Sequence, residues 1–241
     1  MYKYIILLIL LIQNTCWGVS KFDLNAVCEV ISSDKPDNEE DWSADIGTGL
    51  VVFADDEQLY IVISDYLANK VVKFVWTKDT QPFYAENINP QLNYEAFGKF
   101  VKQSQEHELA LYSIPLIKDA QIIMPKLAEP KAFERLTLII KDYNKENLFN
   151  NYYFVYGTEL FKVERKNNDT LNKNVEVKCL YGDPMGGGVI LNNNDEVVCF
   201  INYVKMQKGK KKIIGGPSGG TIKNFLERLS EKEGEVPAAP E

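Results

Sequence analysis

Short runs dense in Val, Ile, Tyr and Phe recur along the chain, and they restrict it to a mostly β architecture. They are "GLVVFA" (49–54), "LYIVIS" (59–64), "KVVKFVW" (70–76), "HELALYSI" (107–114), "RLTLIIK" (135–141), "YYFVYG" (152–157), "LFKVER" (160–165), "NVEVKCL" (174–180), "GVIL" (188–191) and "EVVCFINYV" (196–204). Clusters of Asn, Asp, Gly and Pro bound them, as expected of strands joined by turns. The tetrad Asn192-Asn193-Asn194-Asp195 lies between two such runs and reads as a hairpin loop. Strands of this length over most of 241 residues point to packed barrels or a sandwich. One helix interrupts the rhythm. In "TIKNFLERL", Ile222, Phe225, Leu226 and Leu229 share one face, and Thr221 is a possible N-cap. The segment 115–130 carries three prolines and divides the strands into halves of similar size, so it reads as a crossing between two barrels.

The ends of the chain read differently. "MYKYIILLILLIQNTCWG" has an early cation, Lys3, an apolar run from Ile5 to Ile12, then Cys16 and Gly18 at the small-residue positions before a cut. That is the pattern of a signal peptide over residues 1–18, too short in its apolar run for a bilayer span. The mature chain is therefore expected to be secreted, extracellular and not membrane-spanning. The last residues, 232–241, read as a disordered tail.

The formal net charge is −7, with acid concentrated at 32–45 and in the tail. An acidic surface repels phosphate backbones, which argues against nucleic acid as a partner. "KMQKGKKK" (205–212) opposes this locally and reads as a solvated connection between strands. After removal of Cys16, the cysteines Cys28, Cys179 and Cys199 remain. Their spacing suits no zinc site, so neither metal nor cofactor is expected, and Cys179 with Cys199 is the one candidate disulfide. Asn168-Asp169-Thr170 is a possible glycosylation sequon.

The glycine-dense stretch Gly182-Asp183-Pro184-Met185-Gly186-Gly187-Gly188 has the framing of a catalytic loop without a nucleophile. Its context is an ordered series: "IGTGLVVF" (46–53), "LYIVISDYL" (59–67), "HELALYSI", "IIMPKLAEP" (122–130), the glycine loop, "EVVCFINY" (196–203) and "GGPSGGTIKNFLERL" (215–229). In this order the segments resemble the trypsin-like serine proteases of peptidase family S1, with the chymotrypsin fold. The resemblance implies two packed six-stranded antiparallel β-barrels, at about 27–120 and 131–220, with a C-terminal helix at about 221–231. It also implies a triad in which serine attacks, histidine takes the proton and a carboxylate orients the histidine.

Residue by residue, that triad is degenerate. The histidine position falls on Asp65, with Tyr66 adjacent, and the acid position falls on Glu108. The serine position falls on Met185 if the glycines are aligned, or on Pro184 if Gly182-Asp183 is aligned. The loop Gly182, Asp183, Pro184, Gly186, Gly187 is likewise a degenerate oxyanion site: Pro184 lacks an N–H, and Asp183 replaces a glycine whose N–H should face inward. Cysteines that the family places beside its histidine would stand at Ile46 and Tyr66, and no activation site of the family's kind precedes Ile46. The single histidine, His107, reads as an ordinary, partly exposed residue before a strand. Ser218, in "GPSGG", mimics a nucleophile but has no base and only the helix after it.

The expectation is a non-catalytic protease homologue that binds a protein partner, such as a protease, an inhibitor or a peptide, in extracellular fluid. Two other classes compete: an active serine-type endopeptidase with an unorthodox site at Ser218 or at an Asp65–Glu108 pair, and an unrelated secreted β-sandwich binding module.

Overall fold

A computed structural model describes residues 22–34, 45–76, 92–118, 120–131, 136–142, 151–157, 160–165, 173–179, 187–206 and 212–227. The first half contributes β1 (Val27–Ser33), β2 (Asp45–Ala54), β3 (Gln58–Ser64), β4 (Val71–Trp76), β5 (Tyr94–Phe97), β6 (Lys99–Ser104) and β7 (Leu109–Pro115). They form one antiparallel sheet in the order β5-β4-β1-β2-β3-β7-β6. Its two edges, β5 and β6, are separated in sequence by Gly98 alone. They are therefore two arms of one bent strand, and the sheet closes into a six-membered ring. A side chain at Gly98 would press into the buried Phe74 ring and sit 2.9 Å from Tyr112 Cδ1, so the corner needs glycine.

The second half contributes β8 (Leu136–Asp142), β9 (Asn151–Gly157), β10 (Leu160–Arg165), β11 (Lys173–Cys179), β12 (Gly188–Leu191), β13 (Val197–Ile201), β14 (Tyr203–Met206) and β15 (Lys212–Pro217). Two four-stranded antiparallel sheets result, β13-β12-β8-β9 and β10-β11-β15-β14. Only Asn202 separates β13 from β14, and β10 follows β9 after two residues. β13 and β14 thus act as one bent strand shared by both sheets. The "NNND" loop forms as expected: Asn192 Oδ1 accepts from the N–H groups of Asn194 (2.9 Å) and Glu196 (3.0 Å), and Asp195 takes a left-handed φ of 59°.

Period-two alternation explains why several of these strands read as unbroken apolar runs: both faces are buried. Val51, Ile61, Ile63, Ala110, Tyr112 and Ile114 fill the first barrel. Their neighbours Leu50, Val52, Val62, Leu109 and Leu111 face outward, against Ile139, Val189, Leu191 and Phe200 of the second. That shared core packs the two barrels together.

The helix, α1 (Gly219–Glu227), is laid onto this core by the buried Ile222 and Phe225. Its N-cap is not Thr221 but Ser218, whose Oγ accepts the Thr221 N–H at 3.1 Å. Ser218 is fully buried, and its hydroxyl also donates to Glu129 Oε1 at 3.2 Å. Ser218→Ala should cost about 1 kcal/mol in urea unfolding, typical of a lost cap, and abolish no chemistry. No helix among the described residues is long and apolar enough to cross a membrane.

The expected Cys179–Cys199 disulfide is not formed. Cys199 is a buried thiol that donates to the Gly216 carbonyl at 3.6 Å. Cys179 pairs with Lys212, four residues further along β15 from Gly216, roughly 13 Å at the rise of a strand. A disulfide requires Cα atoms within about 7 Å. Burial also pushes the Cys199 thiol pKa well above its ordinary value.

Candidate functional site

The register of the first barrel dictates what meets at its rim. β3 and β7 pair antiparallel, with Ser64 opposite Leu109. The next residue beyond β3 is Asp65 and the one before β7 is Glu108, so continuing the ladder by one step makes them neighbours. The structure shows that step: the Asp65 N–H donates to the Glu108 carbonyl at 3.2 Å. Asp65 opens a short 3-10 turn, Asp65–Leu67, and its own carbonyl accepts from Gln103 Nε2 at 3.3 Å. Glu108 ends the turn that starts at Gln105 and has a φ of 57°. A left-handed glutamate is strained by about 1–2 kcal/mol, and such residues concentrate at sites where the chain is held by its surroundings.

The second barrel reaches the same place through the bend in its shared strand. Asn202, between β13 and β14, donates from Nδ2 to Glu108 Oε2 at 3.3 Å. Its backbone is fixed in turn by a 3.0 Å bond from its N–H to the Gly215 carbonyl. An open cleft of about 420 Å³ results, lined by Ser64, Asp65, Tyr66, Gln105, Glu108, Asn202 and Tyr203. Partial burial, and then the charge of Asp45, push the Tyr66 phenol pKa above its ordinary value.

Asp65 and Glu108 thus stand together, while Met185, Pro184, Gly182, Asp183 and Gly186 lie outside the described residues, as does Asn168. Gly187, the last member of the degenerate loop, is described and has a φ of 79°. A Cβ there would sit 3.1 Å from the Ile201 carbonyl oxygen and 3.2 Å from Thr48 Oγ1, so this end of the loop abuts both barrels. His107 is not partly exposed as expected. It is 4% exposed, with Nδ1 2.7 Å from Ser104 Oγ and its ring 5.7 Å from that of Phe225. It does not line the cleft. Asn202 and Tyr203 were missed as site residues. The signal was present, since Asn202 is the one polar side chain inside "VVCFINYV", where a strand bends.

No protein-family model matches the chain, and no curated protein does. Solved structures do. The HtrA-type protease AlgW, solved with a tripeptide, superposes over 89% of this chain and 62% of its own, with a TM-score of 0.57 at 11% identity. The serine endoprotease from Yersinia pestis superposes over 88% and 65%, with a TM-score of 0.57 at 13% identity. The fold is that of the chymotrypsin-like serine proteases. The chain spans less than two thirds of the length of either structure. At these identities the chymotrypsin-like likeness is one of fold, and the chemistry must come from the residues.

Those residues comprise two carboxylates, two amides, two phenols and the Ser64 hydroxyl. A serine attacks when an imidazole or amine base takes its proton and backbone donors hold the oxyanion. Here the groups lining the cleft with Ser64 are acceptors and neutral donors.

Proposed function

We propose that this chain is a secreted, non-catalytic homologue of the serine proteases that binds a protein or peptide partner in the cleft between its barrels. One observation carries the reading. Asp65 and Glu108 meet in the cleft at the positions where the resemblance places base and acid, while His107 is packed behind them against Phe225. A carboxylate at the base position cannot act as an imidazole toward a serine. Two further features support secretion and binding: the leader-like residues 1–18, and a cleft of the size that holds peptide side chains.

The mature chain incubated with a fluorophosphonate should carry no covalent adduct by intact-mass analysis. An adduct mapped to Ser64 or Ser218 would overturn the reading. The competing reading, a hydrolase using Asp65 and Glu108 as acid and base, draws on the adjacency of the two residues at the end of the β3–β7 ladder.

A further inference from the structure

We propose that the outer corner of the first barrel, around Phe97, Lys99, Phe100 and Val101, is a docking surface whose occupant is the acidic C-terminal segment of the same chain, residues 231–241. The inference lies outside the cleft and stands without the binding reading above. Single exposed apolar side chains are normal on a protein surface, but these are gathered. Phe97 is 56% exposed, Phe100 52% and Val101 37%, so three of the seven exposed large hydrophobics among the described residues fall within five positions of the β5–β6 bend. Clustering of this kind marks a surface that something covers. β6 is also the last strand in its sheet order, laddered to β7 on one side. An open strand edge bearing apolar residues is one that proteins cover or charge.

The path of the chain and its charge name the occupant. α1 ends at Glu227, and the Phe225 carbonyl in its last turn accepts from the Lys102 ammonium of β6. The chain therefore leaves the helix beside the strand that carries the patch. Phe97 lies five residues back from Lys102, roughly 17 Å at the rise of a strand, and an extended run from Arg228 to Val236 reaches about 30 Å. Glu231, Glu233 and Glu235 come first in that run, with Lys232 among them, and the apolar Val236-Pro237-Ala238-Ala239-Pro240 follows. The corner offers a match to both parts. Lys99 is exposed and forms no ion pair among the described residues, while Glu95, the neighbouring acid on β5, is held by Lys73 at 2.9 Å. Carboxylates of the first part can reach Lys99 while the second part covers Phe97 and Phe100. A second copy of the chain meeting this corner across a two-fold axis would bring Lys99 against its own counterpart, which repels. A polar, proline-containing segment buries too little of itself to order alone, and it orders when a complementary surface receives it.

The test is NMR on residues 19–241, with the Val236 methyls and the phenylalanine rings isotopically labelled. Cross-relaxation should connect the Val236 methyls with the rings of Phe97 or Phe100. Lys99→Glu should weaken those contacts about fivefold, the upper end for one exposed ion pair, and Glu233→Lys in the same chain should restore them. Replacing Glu231, Glu233 and Glu235 together by Gln should shift the amide signals of Lys99 to Lys102 and leave those of the second barrel in place, which also shows that the variant folds. Absence of any Val236 contact with the corner, with the Lys99 to Lys102 signals unmoved in the triple variant, would overturn the proposal. Contacts that survive Lys99→Glu undiminished would overturn it too, because the match of charge names this occupant. A sample mixed from labelled and unlabelled chains separates contacts within a chain from those between chains. Contacts found only between chains would make the occupant a second copy and overturn the assignment.

Discussion

Phe225→Ala should lower stability by about 3–5 kcal/mol, the range for emptying a phenylalanine site in a core. Phe225 is 2% exposed and belongs to the core shared by both barrels. Its ring also lies 5.7 Å from that of His107 and 4.2 Å beneath the Lys102 ammonium, which donates to the Phe225 carbonyl near the end of α1. A cation at a helix C-terminus adds stability through the exposed carbonyls and the macrodipole. Truncation therefore removes the apolar fill and the seat of two polar neighbours together. Phe225→Leu keeps most of the volume and should cost less. Glu227→Gln, in an exposed pair with Lys223 at 3.8 Å, should change stability by under about 1 kcal/mol. Urea unfolding followed by circular dichroism measures all three. A loss below about 1 kcal/mol for Phe225→Ala would mean that α1 does not anchor on the barrels.

Gly216→Ala is the second large effect, and it acts by overpacking. An added Cβ would overlap the Phe200 carbonyl oxygen and come within 2.7 Å of Asn202 Oδ1 and 3.0 Å of the Asn202 nitrogen. Two of the three atoms are main chain, so no side chain can rotate away. β15 must separate from the bend that joins β13 to β14. Overpacking a filled site costs typically about 1–3 kcal/mol, and main-chain contact puts this one at the upper end. Because Asn202 bonds Glu108, the strain should also reach the cleft. In NMR spectra the signals of Asn202 and Glu108 should move together. A fully stable variant with an unchanged cleft would contradict the close approach of β15 to that bend.

Much of this architecture was legible, because both faces of the central strands are buried and leave continuous apolar runs. β1, β5, β6 and β15 were not read, for different reasons. β1 buries Glu29, Ser32 and Ser33, and Ser32 is satisfied by the Leu67 carbonyl at 2.7 Å. A polar residue with a tertiary partner looks like a loop residue in sequence. β6 is largely exposed and exists through its ladder with β7. β15 contains Gly-Gly-Pro, which reads as a turn, yet Gly216 serves close packing against β13 and the Asn202 bend. The meeting of Asp65 and Glu108 is a matter of register, since the two residues extend the β3–β7 ladder by one step. The burial of His107 could not be anticipated, because it depends on Phe225 at the other end of the chain. The Cys179–Cys199 pairing failed because cysteine count carries no information about strand register.

The central claim is that this cleft binds without catalysing. The most direct measurement is incubation of residues 19–241 with a diverse peptide mixture, followed by mass spectrometry of every new terminus. No termini should form above those produced by an Asp65→Ala/Glu108→Ala double variant. Cleavages that appear with the native chain and vanish in that variant would show a working carboxylate pair and contradict the account.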